Sequence, residues 1–112
     1  MAATVKTEYP ENNSCKITWE TLGDDETGPI AAMARWPNKS FQAFGTFASG
    51  VLTLHGSNDG VNFAPLNDLE GNAISMTAAG ILSVMEHCMF YRPVVSSAGG
   101  PTTDIDCILF GV

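Results

Sequence analysis

Residues 15–20, Cys-Lys-Ile-Thr-Trp-Glu, alternate strictly between one face and the other: Cys15, Ile17 and Trp19 against Lys16, Thr18 and Glu20. A period of two suits a strand with one face buried and the other wet, and it does not suit a helix, whose apolar residues recur every three or four positions. The alternation returns near the other end of the chain, where Ile105, Cys107 and Leu109 stand opposite Asp104, Asp106 and Ile108. Between these two stretches lie short apolar runs separated by clusters of Gly, Pro, Asn and Asp. Residues 51–55 read as a strand with Leu52 and Leu54 on one face, and residues 73–77 as a short strand. Residues 81–88 mix a helix-like spacing of Leu82 and Met85 with Gly80 and Val84, which favour strand or turn. Residues 90–96 read as a strand that contains Pro93.

About seven or eight short strands and no long helical pattern predict an all-β chain, an antiparallel β-sandwich of jelly-roll or Ig-like type. The expected domain is 15–112. Residues 1–14 are polar, include Pro10 and the Glu11-Asn12-Asn13-Ser14 cluster, and show neither period, so they are expected to form an extended N-terminal arm. Residues 23–29, Gly-Asp-Asp-Glu-Thr-Gly-Pro, read as a solvated acidic loop.

The clearest turn signal is LHGSNDGVNFAPL, residues 54–66. Its Asn58, Asp59 and Gly60 could be a ligand-binding loop or a bend. Calcium loops gather several carboxylates at alternating positions, and this stretch has one, so a hairpin is the expectation, with Gly60 in a left-handed conformation. The hairpin is expected to set Leu52 and Leu54 against Phe63, with residues 61–66 as the partner strand.

The formal net charge is -7, and the five basic residues are scattered, so no nucleic-acid partner is expected. No apolar run reaches the length of a membrane span and the first residues lack a signal-peptide plan, so synthesis in a cytoplasm without a membrane anchor is expected. Charged residues are only 15% of the chain, against roughly 25% in an average soluble domain, which leaves a neutral surface that is easily desolvated against a partner protein. Cys15, Cys88 and Cys107 are odd in number and lack zinc-ligand spacing, and are expected to be free, buried thiols. The candidate bases are His55 and His87. Neighbouring Glu86, His87 and Cys88 would point to alternate faces of a strand and fail to converge, so neither a catalytic site, a metal site nor a cofactor is expected.

Three signatures carry a family resemblance: the turn at residues 54–63, the step Gly71-Asn72-Ala73-Ile74, and the step Thr77-Ala78-Ala79-Gly80-Ile81. With Tyr91-Arg92-Pro93-Val94-Val95-Ser96, the second half of the chain resembles small virion proteins of tailed bacteriophages, in particular capsid decoration or cement proteins. Phe63 stands where the family often has tryptophan. The resemblance implies a non-enzymatic protein on the virion surface that binds the major capsid protein, clamps neighbouring coat subunits and works as a homo-oligomer, a trimer being favoured. A terminal arm reaches across the shell in such proteins. Candidate contacts here are the arm with Tyr9 and Pro10, together with Trp36, Phe41 and Phe44; the alternative for the rings is ordinary core. Two other readings stand beside it: a discoidin-like carbohydrate-binding sandwich using Asn58, Asn62 and Phe63, and a head-to-tail or tail component.

Overall fold

The computed structural model describes residues 4–97 and 99–112, so Met1 to Ala3 of the expected arm and Ala98 of the loop after residue 96 lie outside the described residues. Among the described residues there are nine strands: β1 (Thr4–Glu8), β2 (Cys15–Leu22), β3 (Ala31–Ala32), β4 (Lys39–Thr46), β5 (Leu52–Ser57), β6 (Ala64–Pro65), β7 (Gly80–Val84), β8 (Phe90–Val95) and β9 (Asp104–Gly111). They form two antiparallel sheets, of order β1-β2-β9-β4-β7 and β3-β8-β5-β6. The chain is an all-β antiparallel sandwich.

The pairing has a simple logic. β2 pairs with β9, β3 with β8, β4 with β7 and β5 with β6, all antiparallel. The chain from β2 to β9 is therefore one long hairpin whose two legs cross together from sheet to sheet, and the β4·β9 and β5·β8 pairs roll it closed. This is the jelly-roll arrangement, with β1 added at one edge.

Alternation in the strands places the core as expected. Cys15, Ile17 and Trp19 of β2 and Ile105, Cys107 and Leu109 of β9 are buried, as are Leu52 and Leu54 of β5. Trp19 donates its indole N–H to the Pro29 carbonyl at 2.8 Å, so its one polar group is satisfied inside the core. The three cysteines are free; Cys15 and Cys107 are buried and Cys88 is half-buried.

Several elements differ from expectation. Thr4–Glu8 of the expected arm is a strand, paired in register from Thr4↔Glu20 to Glu8↔Lys16. All five of its residues are exposed. An edge strand has no two-sided burial to write an alternating pattern, so nothing in its sequence announces it. The stretch 73–77 is held by isolated bridges, Met76 N–H donating to Leu52 O and Leu52 N–H to Met76 O, both at 2.8 Å, rather than by a continuous strand.

The partner strand expected at residues 61–66 shrinks to Ala64–Pro65, opposite Gly56 and His55. Phe63 does not face Leu52 or Leu54. The reason is the Asp59 carboxylate. Its Oδ1 accepts the Val61 and Asn62 N–H groups and the Ser57 hydroxyl, each at 2.8 Å, and its Oδ2 accepts the Asn62 side-chain amide at 2.8 Å. These bonds hold residues 57–62 as a wider loop than a two-residue turn, and they keep the Asp59 carboxyl well below the usual carboxylate range.

Gly60 has φ of 80°, as expected, and Gly45 in β4 has φ of 112°. A Cβ at Gly60 would sit 3.4 Å from the Phe90 ring, whereas one at Gly45 would sit 2.4 Å from the Asp104 carbonyl of the adjacent strand. Gly60→Ala should thus cost about 1–2 kcal/mol from backbone strain alone, and Gly45→Ala about 3 kcal/mol or more because a rigid backbone atom stands in the way. Urea denaturation of the two variants checks the order; equal losses would show that the clash at Gly45 is relieved.

Candidate functional site

The turn after β1 and the loop before β4 together form a cleft of ≈ 420 Å³, lined by Tyr9, Pro10, Glu11, Asn12, Asn13, Ser14, Arg35 and Trp36. One wall is a tight turn. The Ser14 hydroxyl accepts from Glu11 N–H and donates to Glu11 O, both at 2.9 Å, and Asn13 takes a positive φ of 60°, which Asn tolerates better than most residues. The segment is thereby held in one shape although its residues are polar.

The opposite wall is the Trp36 loop. Trp36 N–H donates to Met33 O at 3.3 Å, and Asn38 and Val112 exchange backbone hydrogen bonds at 3.3 and 3.0 Å. Behind the ring, Gly111 supplies the space, since a Cβ there would lie 2.6 Å from the Trp36 Cβ. Lys39 is buried, its ammonium donating to the Trp36 carbonyl and resting 5.0 Å from the centre of the Tyr91 ring. Tyr91 in turn donates its hydroxyl proton to Glu86 O at 3.0 Å and accepts the Cys88 N–H at 2.6 Å. The buried Lys39 was not anticipated; a lysine inside an otherwise apolar-to-turn stretch gives no signal of its burial.

Across the cleft, the Tyr9 and Trp36 rings lie 6.0 Å apart at 37°, and the Arg35 guanidinium is 5.5 Å from the Trp36 ring centre. Trp36 is 9% exposed and Tyr9 67%. The site therefore offers one fixed ring, one free ring, a cation and two amide side chains. Such a set can make stacking and hydrogen-bonding contacts.

Of the five expected contact residues, Tyr9, Pro10 and Trp36 are brought together here. Phe41 is not at the surface: it is fully buried between the sheets, on the same face of β4 as Ala43, and it is a core residue. Phe44 is 39% exposed and points the other way, onto the outer face of the five-stranded sheet. On that face Ile81, Ile108 and Phe110 line a shallow groove, and Ile81 is 65% exposed. Sequence reading missed Ile81 because a single apolar residue after a glycine reads equally well as the start of a buried run.

Asn58 and Asp59 are engaged within the chain, around Gly60. Asp59 is saturated by its own loop, Asn58 Oδ1 accepts the Met89 N–H at 3.1 Å, and the Phe63 ring is covered by Arg92, whose guanidinium carbon lies 3.9 Å from the ring centre. Among the described residues no three His, Cys, Asp or Glu side chains are placed to hold a metal ion. His87 is exposed, with Nε2 2.9 Å from Ala34 O.

Burial pulls the Lys39 ammonium down to about 8 from 10.5, against a smaller opposing pull from Cys88. Between these values the unfolded chain binds a proton that the folded chain does not, so folding is favoured increasingly as pH rises through this window. The thiols act in the opposite sense above their ordinary value of 9.0, because burial raises all three. Stability should thus rise between pH 8 and pH 9 in the parent and be flat there in Lys39→Met, as read by urea midpoints; a parallel rise in both would remove Lys39 as its source.

No protein-family model matches the chain, and no curated protein is significantly similar to it in sequence. Solved structures are similar in fold. The SPBc2 prophage-derived protein YomS superposes with a TM-score of 0.67 at 9% identity, over 93% of this chain and 98% of that one. A cupin domain from Bordetella pertussis Tohama I superposes with a TM-score of 0.54 at 9% identity, over 98% of this chain and 92% of that one. At such identities the likeness is one of architecture: the chain is similar, along nearly its whole length, to the jelly-roll sandwich found in a prophage-derived protein and in a cupin domain.

Proposed function

We propose that this chain is a structural protein of a tailed-phage virion, a capsid decoration protein that binds the outer surface of the head and braces contacts between major capsid protein subunits. The observation that carries the reading is the continuity of β1 with the Tyr9–Trp36 cleft. β1 is a fully exposed edge strand of five residues whose second backbone edge is unpaired among the described residues, and it leads directly into the cleft. An extended partner segment can add to such an edge while a side chain enters the neighbouring pocket, which joins backbone affinity to side-chain selection. The other features agree with it: the sparse charge of the surface, the apolar groove near Phe44, and the similarity in fold to a prophage-derived protein.

The mechanism is avidity. Each contact is modest, and copies joined as a homo-oligomer, a trimer in our reading, engage the lattice at several points, so that binding to the assembled shell lowers its free energy relative to the ruptured one. No catalytic step and no cofactor enters. Carbohydrate binding is a second reading, favoured by the exposed Tyr9 ring beside Asn12, Asn13 and Arg35 rather than by Phe63, whose face is occupied.

The test mixes purified protein with undecorated heads and follows sedimentation and the temperature of head rupture. Heads should bind the protein and rupture at a higher temperature. Tyr9→Ala should weaken binding by at least about tenfold, as exposed aromatic anchors do, without moving the melting temperature of the free protein. No association with heads together with selective capture by a glycan array would favour the carbohydrate reading instead.

A further inference from the structure

We propose that Arg92 and His55, on the outer face of the four-stranded sheet, form a docking point for a carboxylate side chain of a protein partner; that this partner is the head shell rests on the reading above. The two residues stand directly opposite each other in the β5·β8 pair, so their side chains project from the same face. The Arg92 guanidinium is stacked on the Phe63 ring at 3.9 Å. Contact through the face of the guanidinium leaves its N–H groups pointing along its own plane, where the two terminal Nη groups form the end-on pair of donors that a carboxylate can accept from through two parallel hydrogen bonds.

Nothing among the described residues fills that role. There are 12 acidic residues against 5 Lys and Arg, yet among the described residues the ion pair formed is Lys16–Glu8, at 3.6 Å, and Arg92 has none. Its Nε is also buried without an acceptor. Lys39 is spent on the Trp36 carbonyl, Lys6 lies on the exposed edge strand β1, and Arg35 lies 5.5 Å from the Trp36 ring centre; Arg92 is the arginine held more closely on its ring, at 3.9 Å, with its charge unmatched by an ion pair. An unpaired guanidinium held in place loses little freedom when an acceptor arrives.

The charge count selects the ligand. Burial, and then the neighbouring Arg92, lower the His55 pKa, so at neutral pH the imidazole adds a hydrogen-bonding group without a second charge. One positive charge matches one carboxylate. Polyanions such as nucleic acid need several cations in a row, and a chain of net charge -7 repels them. The Asp59-pinned loop acquires a second consequence here, because it is this loop that delivers Phe63 beneath Arg92.

The experiment compares the full-length parent with Arg92→Gln and Arg92→Lys in binding to undecorated heads, each variant also being melted alone. Arg92→Gln should lose at least about tenfold in affinity, with the lysine variant between it and the parent because it keeps the charge and loses the fork. Parent-like binding by Arg92→Gln would overturn the docking point and leave the decoration reading standing. Where the glutamine variant melts early, the lysine variant decides by the same comparison. If the parent itself fails to bind heads, the decoration reading falls, and the site is judged by nuclear magnetic resonance with sodium acetate against sodium chloride at equal ionic strength. A saturable shift of the Arg92 and His55 signals with acetate alone supports the site, and an equal response to both salts overturns it.

Discussion

The grip of the Asp59 carboxylate on its own loop is the interaction on which the remaining pairing depends. The chain from β2 to β9 is one hairpin, and residues 57–62 are its tip, so the offset between the two legs is set there. Side chains alternate with a period of two, and a slip of one residue at the tip would turn a whole leg inside out, sending Leu52 and Leu54 toward water. A carboxylate that accepts four hydrogen bonds from three neighbouring residues leaves little room for such a slip. Because those bonds also depress its pKa, Asp59 stays ionised throughout the ordinary pH range and the grip is always present.

From this the surface follows. With the offset set, the inner faces close over Trp19, Phe41 and Tyr91, and what remains outside is mostly neutral. The two sheets do not end alike. The four-stranded sheet is bounded by strands of only two residues, one of them containing Pro65, and these give a foreign strand little to pair with. The five-stranded sheet is bounded by two longer strands of five residues each, β1, which is uncovered, and β7, whose last residue Val84 is bridged to Asp68. The longer strand edges thus belong to the five-stranded sheet.

How much of this was legible depends on burial. β2, β5 and β9 were readable because each has one dry and one wet face, and the alternation of Cys15–Trp19 and Ile105–Leu109 records it. β1 was illegible for the opposite reason, since all its residues are wet and any polar sequence would serve. The turn was recognised from Asp59 and Gly60 as a bend, but its width was not, because width is decided by where one carboxylate finds its donors. In the candidate site, Trp36 and Tyr9 were singled out as rings outside the alternating strands. Phe41 was misplaced because β4 carries rings on both faces, and sequence does not say that Phe41 turns in while Phe44 turns out. The stacking of Arg92 on Phe63 joins residues on different strands and has no local pattern to betray it.

The folded hairpin carries a kinetic consequence. Cys15 pairs with Gly111, so the last rungs of the ladder join residues from nearly opposite ends of the sequence, while the tip joins near neighbours. Closing distant residues requires most of the chain to be ordered first, which places such a topology among the slower folders, on the scale of milliseconds to seconds. The same arrangement resists opening from within. Once the roll is shut, the outermost strand β1 can fray without loosening the β2·β9 rungs beneath it, so local opening at that edge is separate from loss of the core.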